Sequence, residues 1–200
     1  ILSLGGKRMR PALTILAARV FGAPAEQALK PALGIEVFHN FTLMHDDIMD
    51  KAPLRRGSET VHVKWDINAA ILSGDAMLVQ AYQLIAQSPS AVMPKVLELF
   101  SKTALEVCEG QQMDMDFEQR QNVSVDEYIE MIRLKTSVLL AASLEIGALV
   151  GGAETADAEK LYRFGEQLGI AFQLRDDYLD VFGDSSKVGK QSGGDILADK

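Results

Sequence analysis

The sequence predicts an all-α protein, an antiparallel helical bundle. Three observations carry that reading. Apolar residues recur at i, i+3 and i+4 spacing along almost the whole chain. Alternating runs of β-branched residues between turn signals are essentially absent. Short breaks rich in Gly, Pro, Ser and Asn separate about six or seven long helical stretches, and short connections favour antiparallel neighbours within one domain. The 200 residues, 48% hydrophobic and 24% charged, are enough for one sizeable core.

Composition also excludes. A net charge of −8 argues against a nucleic-acid partner. The single cysteine, Cys108, rules out a disulfide framework and a thiolate metal site. His39, His45 and His62 have no spacing typical of zinc. No apolar run approaches the ~20 residues that span a bilayer, and no signal peptide is visible, so the expectation is a cytoplasmic protein.

The elements can be taken in order. The first helical stretch follows Gly5-Gly6-Lys7-Arg8-Met9-Arg10-Pro11, three cations beside a glycine pair, and stops at Gly22-Ala23-Pro24. The second ends in Asp46-Asp47-Ile48-Met49-Asp50. Within it Phe38, Thr42, Asp46 and Asp50 fall at steps of four with Phe41 close beside, so an acidic face stands above an aromatic wall. Leu54-Arg55-Arg56-Gly57 forms a short loop after the motif. Helical patterning then runs to Ser88-Pro89-Ser90 and again to Asn122-Val123-Ser124. Ser124-Val125-Asp126-Glu127 is a capping box opening a helix that reaches about Val150. Lys135 lies on the apolar side of that helix with Tyr128, Met131, Ile132 and Leu139, either as a snorkelling surface lysine or as part of a site. After Gly151-Gly152 the last helix carries Phe164, Leu168, Phe172, Asp176 and Asp180 in one row, and its acidic cluster is Asp176-Asp177-Tyr178-Leu179-Asp180. Gly183 to Gly194 reads as a flexible loop.

The two D-D-x-x-D clusters carry the chemistry. Carboxylates that grow out of a buried face repel one another and would partly protonate unless a cation held them. Oxygen-only ligands favour Mg²⁺, and Mg²⁺ on few carboxylates commonly serves a phosphate substrate. Cations are supplied by Lys7, Arg8 and Arg10 and by Arg55-Arg56, since guanidinium forks bind phosphate oxygens two at a time. If the two helices face each other they enclose an apolar cavity with a metal-binding mouth, suited to a diphosphate head on a hydrocarbon tail. Gly189-Lys190 fails the P-loop pattern, because Gln191 stands where Ser or Thr is needed.

In this combination the chain resembles the trans-isoprenyl diphosphate synthases of the polyprenyl synthetase family. The residues that carry the resemblance are Gly6-Lys7 with Arg10-Pro11, His39, Asp46-Asp47-x-x-Asp50, Arg55-Arg56-Gly57, Lys135-Thr136, Phe172-Gln173-x-x-Asp176-Asp177-x-x-Asp180, Gly189-Lys190 and Gly194-Asp195-Ile196. They stand in the family's order and span nearly the whole chain. The resemblance implies the isoprenoid synthase fold and head-to-tail condensation of isopentenyl diphosphate with dimethylallyl, geranyl or farnesyl diphosphate. It implies that Asp46, Asp47, Asp50, Asp176 and Asp177 bind Mg²⁺, usually three ions, with Asp180 supporting this shell. Arg55, Lys135, Lys190 and Lys200 would contact the allylic diphosphate. Gly6, Lys7, Arg10, His39 and Arg56 would form the isopentenyl diphosphate site, and Thr136 and Gln173 would sit beside the reacting allylic carbon. A homodimer is implied as well.

By the same resemblance an aromatic five residues before the first motif marks short-chain enzymes. Phe41 stands there, Phe38 eight before and Thr42 four before, so the floor of the cavity favours geranylgeranyl or farnesyl diphosphate as product. A terpene cyclase would normally replace the second cluster with an Asn-containing metal motif, and none is evident. A non-catalytic subunit would lose aspartates, whereas all six remain, and a di-iron bundle would need Glu-x-x-His pairs. Residues 1–200 are expected to be a single isoprenoid synthase domain lacking the family's N-terminal helix and C-terminal helices.

Overall fold

The computed structural model describes residues 1–182. Helices dominate: α1 (Met9–Val20), α2 (Ala25–Met49), α3 (Val61–Lys64), α4 (Ile67–Ile85), α5 (Met93–Phe117), α6 (Val125–Ile132), α7 (Val138–Val150) and α8 (Thr155–Phe182). A π-helical turn, Arg133–Ser137, joins α6 to α7, so 125–150 is one helical run with a single irregular turn. The long helical runs therefore number six among the described residues, and the class is all-α as expected. The capping box at its start is present: Ser124 Oγ accepts from the Glu127 amide at 3.2 Å, and Glu127 Oε2 accepts from the Ser124 amide at 3.0 Å.

One element was not anticipated. Leu54–Arg55 (β1) and Ser58–Glu59 (β2) pair as a two-residue antiparallel hairpin where the sequence suggested only a loop. Its turn residues Arg56 and Gly57 both have positive φ, 52° and 77°, as a tight hairpin whose twist matches its strands requires. Gly57 accepts that conformation freely, while Arg56 is held there at a cost of about 1 kcal/mol. The readable signal was Gly57 after two long polar residues.

The chain falls into two compact units, Ile1–Glu98 with Ser143–Ala158, and Leu99–Ala142 with the chain from Glu159. In the first, α2 and α4 run antiparallel at close range. Gly34 approaches Ile85 so nearly that a methyl would lie 2.9 Å from its Cγ1, and the His45 ring fills the space beside Gly74. Phe38, Ile35, Ala81 and Ile85 are buried there. In the second unit Met131, Ile132, Leu134, Val138 and Leu139 form the apolar centre. Among the described residues no helix is long and apolar enough to cross a membrane.

Candidate active site

The first acidic cluster closes α2. The Asp50 amide donates to the Asp46 carbonyl at 2.9 Å, so the helical turn persists to the last aspartate, and Asp46 and Asp50 share a face as their spacing demands. Asp47 points inward and is 3% exposed, while Asp50 is exposed. Three carboxylates thus stand at the negative end of a 25-residue helix. Arg55, carried by β1, answers part of that charge. Its Nε and Nη2 both lie 2.7 Å from Asp47 Oδ1, and its Nη2 lies 3.9 Å from Asp46 Oδ2. Burial nevertheless raises the Asp47 pKa above its ordinary value, against the lowering by Arg55 and with the help of Asp46.

That imbalance is the observation bearing on a metal. Among the described residues no three His, Cys, Asp or Glu side chains converge closely enough to hold an ion on their own. The donors are hard oxygens in excess of the local positive charge, and such a set fits a divalent cation of the Mg²⁺ kind.

A second, cationic cluster lies in the same unit. Arg8, at the N-terminal boundary of α1 with φ 50°, forms an ion pair with Glu36 of α2, and its Nη2 donates to the Leu2 and Leu4 carbonyls at 2.7 and 3.0 Å. Glu36 Oε1 also accepts from Asn40 Nδ2 at 2.9 Å. Arg56 Nη1 donates to the Gly5 and Leu4 carbonyls, and a methyl on Gly6 would lie 3.0 Å from the Arg56 guanidinium carbon. Arg10 Nη1 stands 3.3 Å from His39 Nε2. Burial and then the charges of Arg10, Arg56, Arg55 and Arg8 press the His39 pKa down to about 2, so the imidazole is neutral and can accept from Arg10. Burial lowers the Arg10 pKa to about 10, with Glu36 opposing. Arg10 Nε is buried and has no hydrogen-bond partner among the described residues. Gly6, Arg10, His39 and Arg56 are therefore brought together, and Lys7 is exposed beside them. Glu36 and Asn40, which support Arg8 and the site, had no counterpart in the sequence expectations. Glu36 and Asn40 sit one turn apart, and a buried glutamate one turn before Asn40 was the available signal.

Beneath the first cluster, Phe38 and Phe41 are 1% and 8% exposed, with ring centres 5.6 Å apart. Phe41 meets the His45 ring edge-on at 4.8 Å, and Thr42 Oγ1 donates to the His39 carbonyl at 2.8 Å.

In the second unit a polar chain joins the π turn to α8. Thr136 Oγ1 donates to Gln173 Oε1 at 3.2 Å, Gln173 Nε2 donates to Asp177 Oδ1 at 2.8 Å, and the Tyr128 hydroxyl donates to Asp177 Oδ2. Lys135 Nζ donates to Asp114 Oδ2 of α5 at 2.6 Å, so Lys135 is not a snorkelling surface lysine. Tyr128 and Asp114 went unrecognised in the sequence, since their partners lie 49 and 21 residues away and no local spacing marks them.

Most of the expected row on α8 is exposed among the described residues. Phe164, Leu168 and Phe172 are 58%, 39% and 50% exposed, and Asp176 is exposed. The packed row lies one residue on: Gly165 and Gly169 are buried, and Gln173 and Asp177 are half-buried. Small residues let neighbouring backbone come close, and the bulky row is turned away. Asp180 is half-buried, whereas Lys190, Lys200 and the Gly183–Gly194 loop lie outside the described residues.

The polyprenyl synthetase family pattern matches residues 1–200. A geranylgeranyl diphosphate synthase of Methanosarcina mazei is 46% identical over 203 residues, covering 100% of this chain and 62% of that relative. A geranylfarnesyl diphosphate synthase of Natronomonas pharaonis is 40% identical, covering 100% of this chain and 64% of the relative. Among solved structures, a geranylgeranyl pyrophosphate synthetase from Pyrococcus horikoshii superposes with a TM-score of 0.91 at 42% identity, covering 96% of this chain and 59% of the other. A further geranylgeranyl pyrophosphate synthase structure gives a TM-score of 0.94 at 56% identity, with 98% and 60% covered. The chain thus spans less than two thirds of the length of these relatives.

Proposed function

The chain belongs to the polyprenyl synthetase family, and on that premise we propose that the protein is a prenyltransferase. It joins isopentenyl diphosphate head-to-tail to an allylic diphosphate (dimethylallyl, geranyl or farnesyl) and releases diphosphate. The observation that carries this reading is electrostatic. In one compact unit, burial and then the charges of four arginines keep His39 neutral, and in the same unit three aspartates end α2, with burial raising the pKa of Asp47 against the guanidinium of Arg55. A cationic pocket for one diphosphate and an acidic rim for a metal-bound one are what two diphosphate substrates require.

Residue roles follow the family resemblance, and the contacts support some of them. Arg10, His39, Arg56 and Lys7 around the Gly6 loop hold the isopentenyl diphosphate, with the buried Arg10 Nε as a donor ready for a phosphate oxygen. By the family resemblance, Asp46, Asp47 and Asp50 of α2 and Asp176, Asp177 and Asp180 of α8 would be the metal ligands, and Mg²⁺ when bound neutralises the departing diphosphate. Three ions is the number the family resemblance suggests. By the same resemblance, Arg55, Lys135, Lys190 and Lys200 would add positive charge to the leaving diphosphate. The Thr136 hydroxyl donates its hydrogen bond to Gln173 Oε1, which leaves its lone pairs available to stabilise an allylic cation. Phe38, Phe41 and Thr42 form the floor that limits chain length, and it favours a short-chain product, geranylgeranyl or farnesyl diphosphate, the first being the product in the name of the Methanosarcina mazei relative. Residues 1–200 are read as part of one isoprenoid synthase domain, in a cytoplasmic homodimer. The exposed Leu72 and Val79 of α4, 68% and 58%, are an apolar surface suited to that self-association.

The full-length protein incubated with Mg²⁺, isopentenyl diphosphate and each allylic diphosphate in turn should elongate at least one of them. Absence of elongation with all three overturns the proposal.

A further inference from the structure

We propose that Gly110 and Gly169 are positioning residues for the allylic half of the site, which together seat the π turn that carries Lys135 and Thr136. This rests on the prenyltransferase reading above. The turn is irregular: the Val138 amide donates to the Arg133 carbonyl five residues back, and Ser137 Oγ reaches the Ile132 carbonyl at 3.4 Å. Wide turns of this kind are uncommon and cluster at functional sites, where they re-aim side chains that a regular helix would send elsewhere. Here the consequence is that adjacent residues serve different helices. Lys135 reaches Asp114 on α5, and Thr136 reaches Gln173 on α8.

Each of those helices meets the turn in the same way. On α5 a methyl added to Gly110 would lie 2.3 Å from the Lys135 amide nitrogen and 2.7 Å from its Cα, both immovable backbone atoms. On α8 a methyl added to Gly169 would lie 2.6 Å from the Ser137 Cα and 2.8 Å from its Oγ. One helical turn further along each helix stands the group that grips the site residue, Asp114 after Gly110 and Gln173 after Gly169, so seat and grip share a face. Arg133 closes the turn from its start, donating to both carboxylate oxygens of Glu130 at 2.7 Å and to Glu166 of α8 at 3.1 Å. The glycines set how closely the turn's backbone approaches α5 and α8. That approach decides whether the ammonium of Lys135 and the hydroxyl of Thr136 stand where the leaving group and the cation form. A displacement of about 1 Å at a reacting centre can cost on the order of 10²-fold in rate.

The test compares Gly110→Ala and Gly169→Ala with Gly147→Ala in the full-length protein. Gly147 is equally tight, with a methyl placed 2.2 Å from the Thr14 carbonyl, but it lies in the other unit. Steady-state kinetics are corrected for folded fraction, and binding of a non-reactive allylic diphosphate analogue is measured separately. Gly110→Ala and Gly169→Ala should lower kcat about 10- to 100-fold and weaken analogue binding, with KM for isopentenyl diphosphate within about twofold of wild type. Gly147→Ala should lower the melting temperature alone. Wild-type kinetics in both variants, a loss matching that of Gly147→Ala, or failure of both to fold would overturn the proposal. An inactive wild type would instead count against the prenyltransferase reading.

Discussion

Replacing His39 with glutamine should remove a defined part of this protein's acid lability. In the fold the imidazole stays neutral down to about pH 2, because burial and the charges of Arg10, Arg56, Arg55 and Arg8 all oppose its protonation. In the unfolded chain it titrates near its ordinary value of 6.5. The folded pKa is the lower one, so the unfolded chain takes up the proton first. The native state is therefore unpenalised above pH 6.5 and loses stability as the pH falls towards the folded value. Between pH 7 and pH 5 the gap of 1.5 pH units below 6.5, at about 1.4 kcal/mol each, makes the loss about 2 kcal/mol. Glutamine keeps an oxygen that can accept from Arg10 and carries no titration. Urea unfolding of both proteins at pH 7 and pH 5 measures the effect, since other titrating groups cancel in the difference. The wild type should lose about 2 kcal/mol more than His39→Gln over that interval. A difference independent of pH, or one of opposite sign, would refute the idea that burial and the arginine charges together hold His39 neutral.

Three other outcomes follow from the geometry. Phe41→Ala should lengthen the prenyl products and cost about 3 kcal/mol of stability, read by chromatography of radiolabelled products and by urea unfolding. Asp114→Asn should weaken allylic diphosphate use about 10-fold by releasing Lys135 from its 2.6 Å contact, while the KM for isopentenyl diphosphate holds steady in initial-rate assays. Arg55→Ala leaves the 3% exposed Asp47 carboxylate without the guanidinium that grips its Oδ1, and should destabilise the protein by about 3 kcal/mol in the absence of divalent cations. Added Mg²⁺ should restore part of that loss in thermal melts.

The local chemistry was legible because it is periodic or contiguous. Helical spacing alone identified the long helices, the capping box at Ser124 and the shared face of Asp46 and Asp50, since each depends on neighbours within about one turn. The pairings that build the site depend instead on chain segments far apart in sequence. Nothing near Lys135 announces Asp114, and nothing near Asp177 announces Tyr128. The two rows of α8 show the physical reason. Apolar periodicity singled out Phe164, Leu168 and Phe172, but the face that packs carries Gly165 and Gly169, where the absence of side chains lets backbones approach. A hydrophobic pattern records which residues avoid water on average, whereas close approach is decided by shape. By itself the sequence determined the class of fold, the acidic and basic inventory and the family. Only the tertiary structure decided that burial among four arginines keeps His39 neutral, that Arg55 turns onto Asp47, and that a π turn divides Lys135 and Thr136 between two helices.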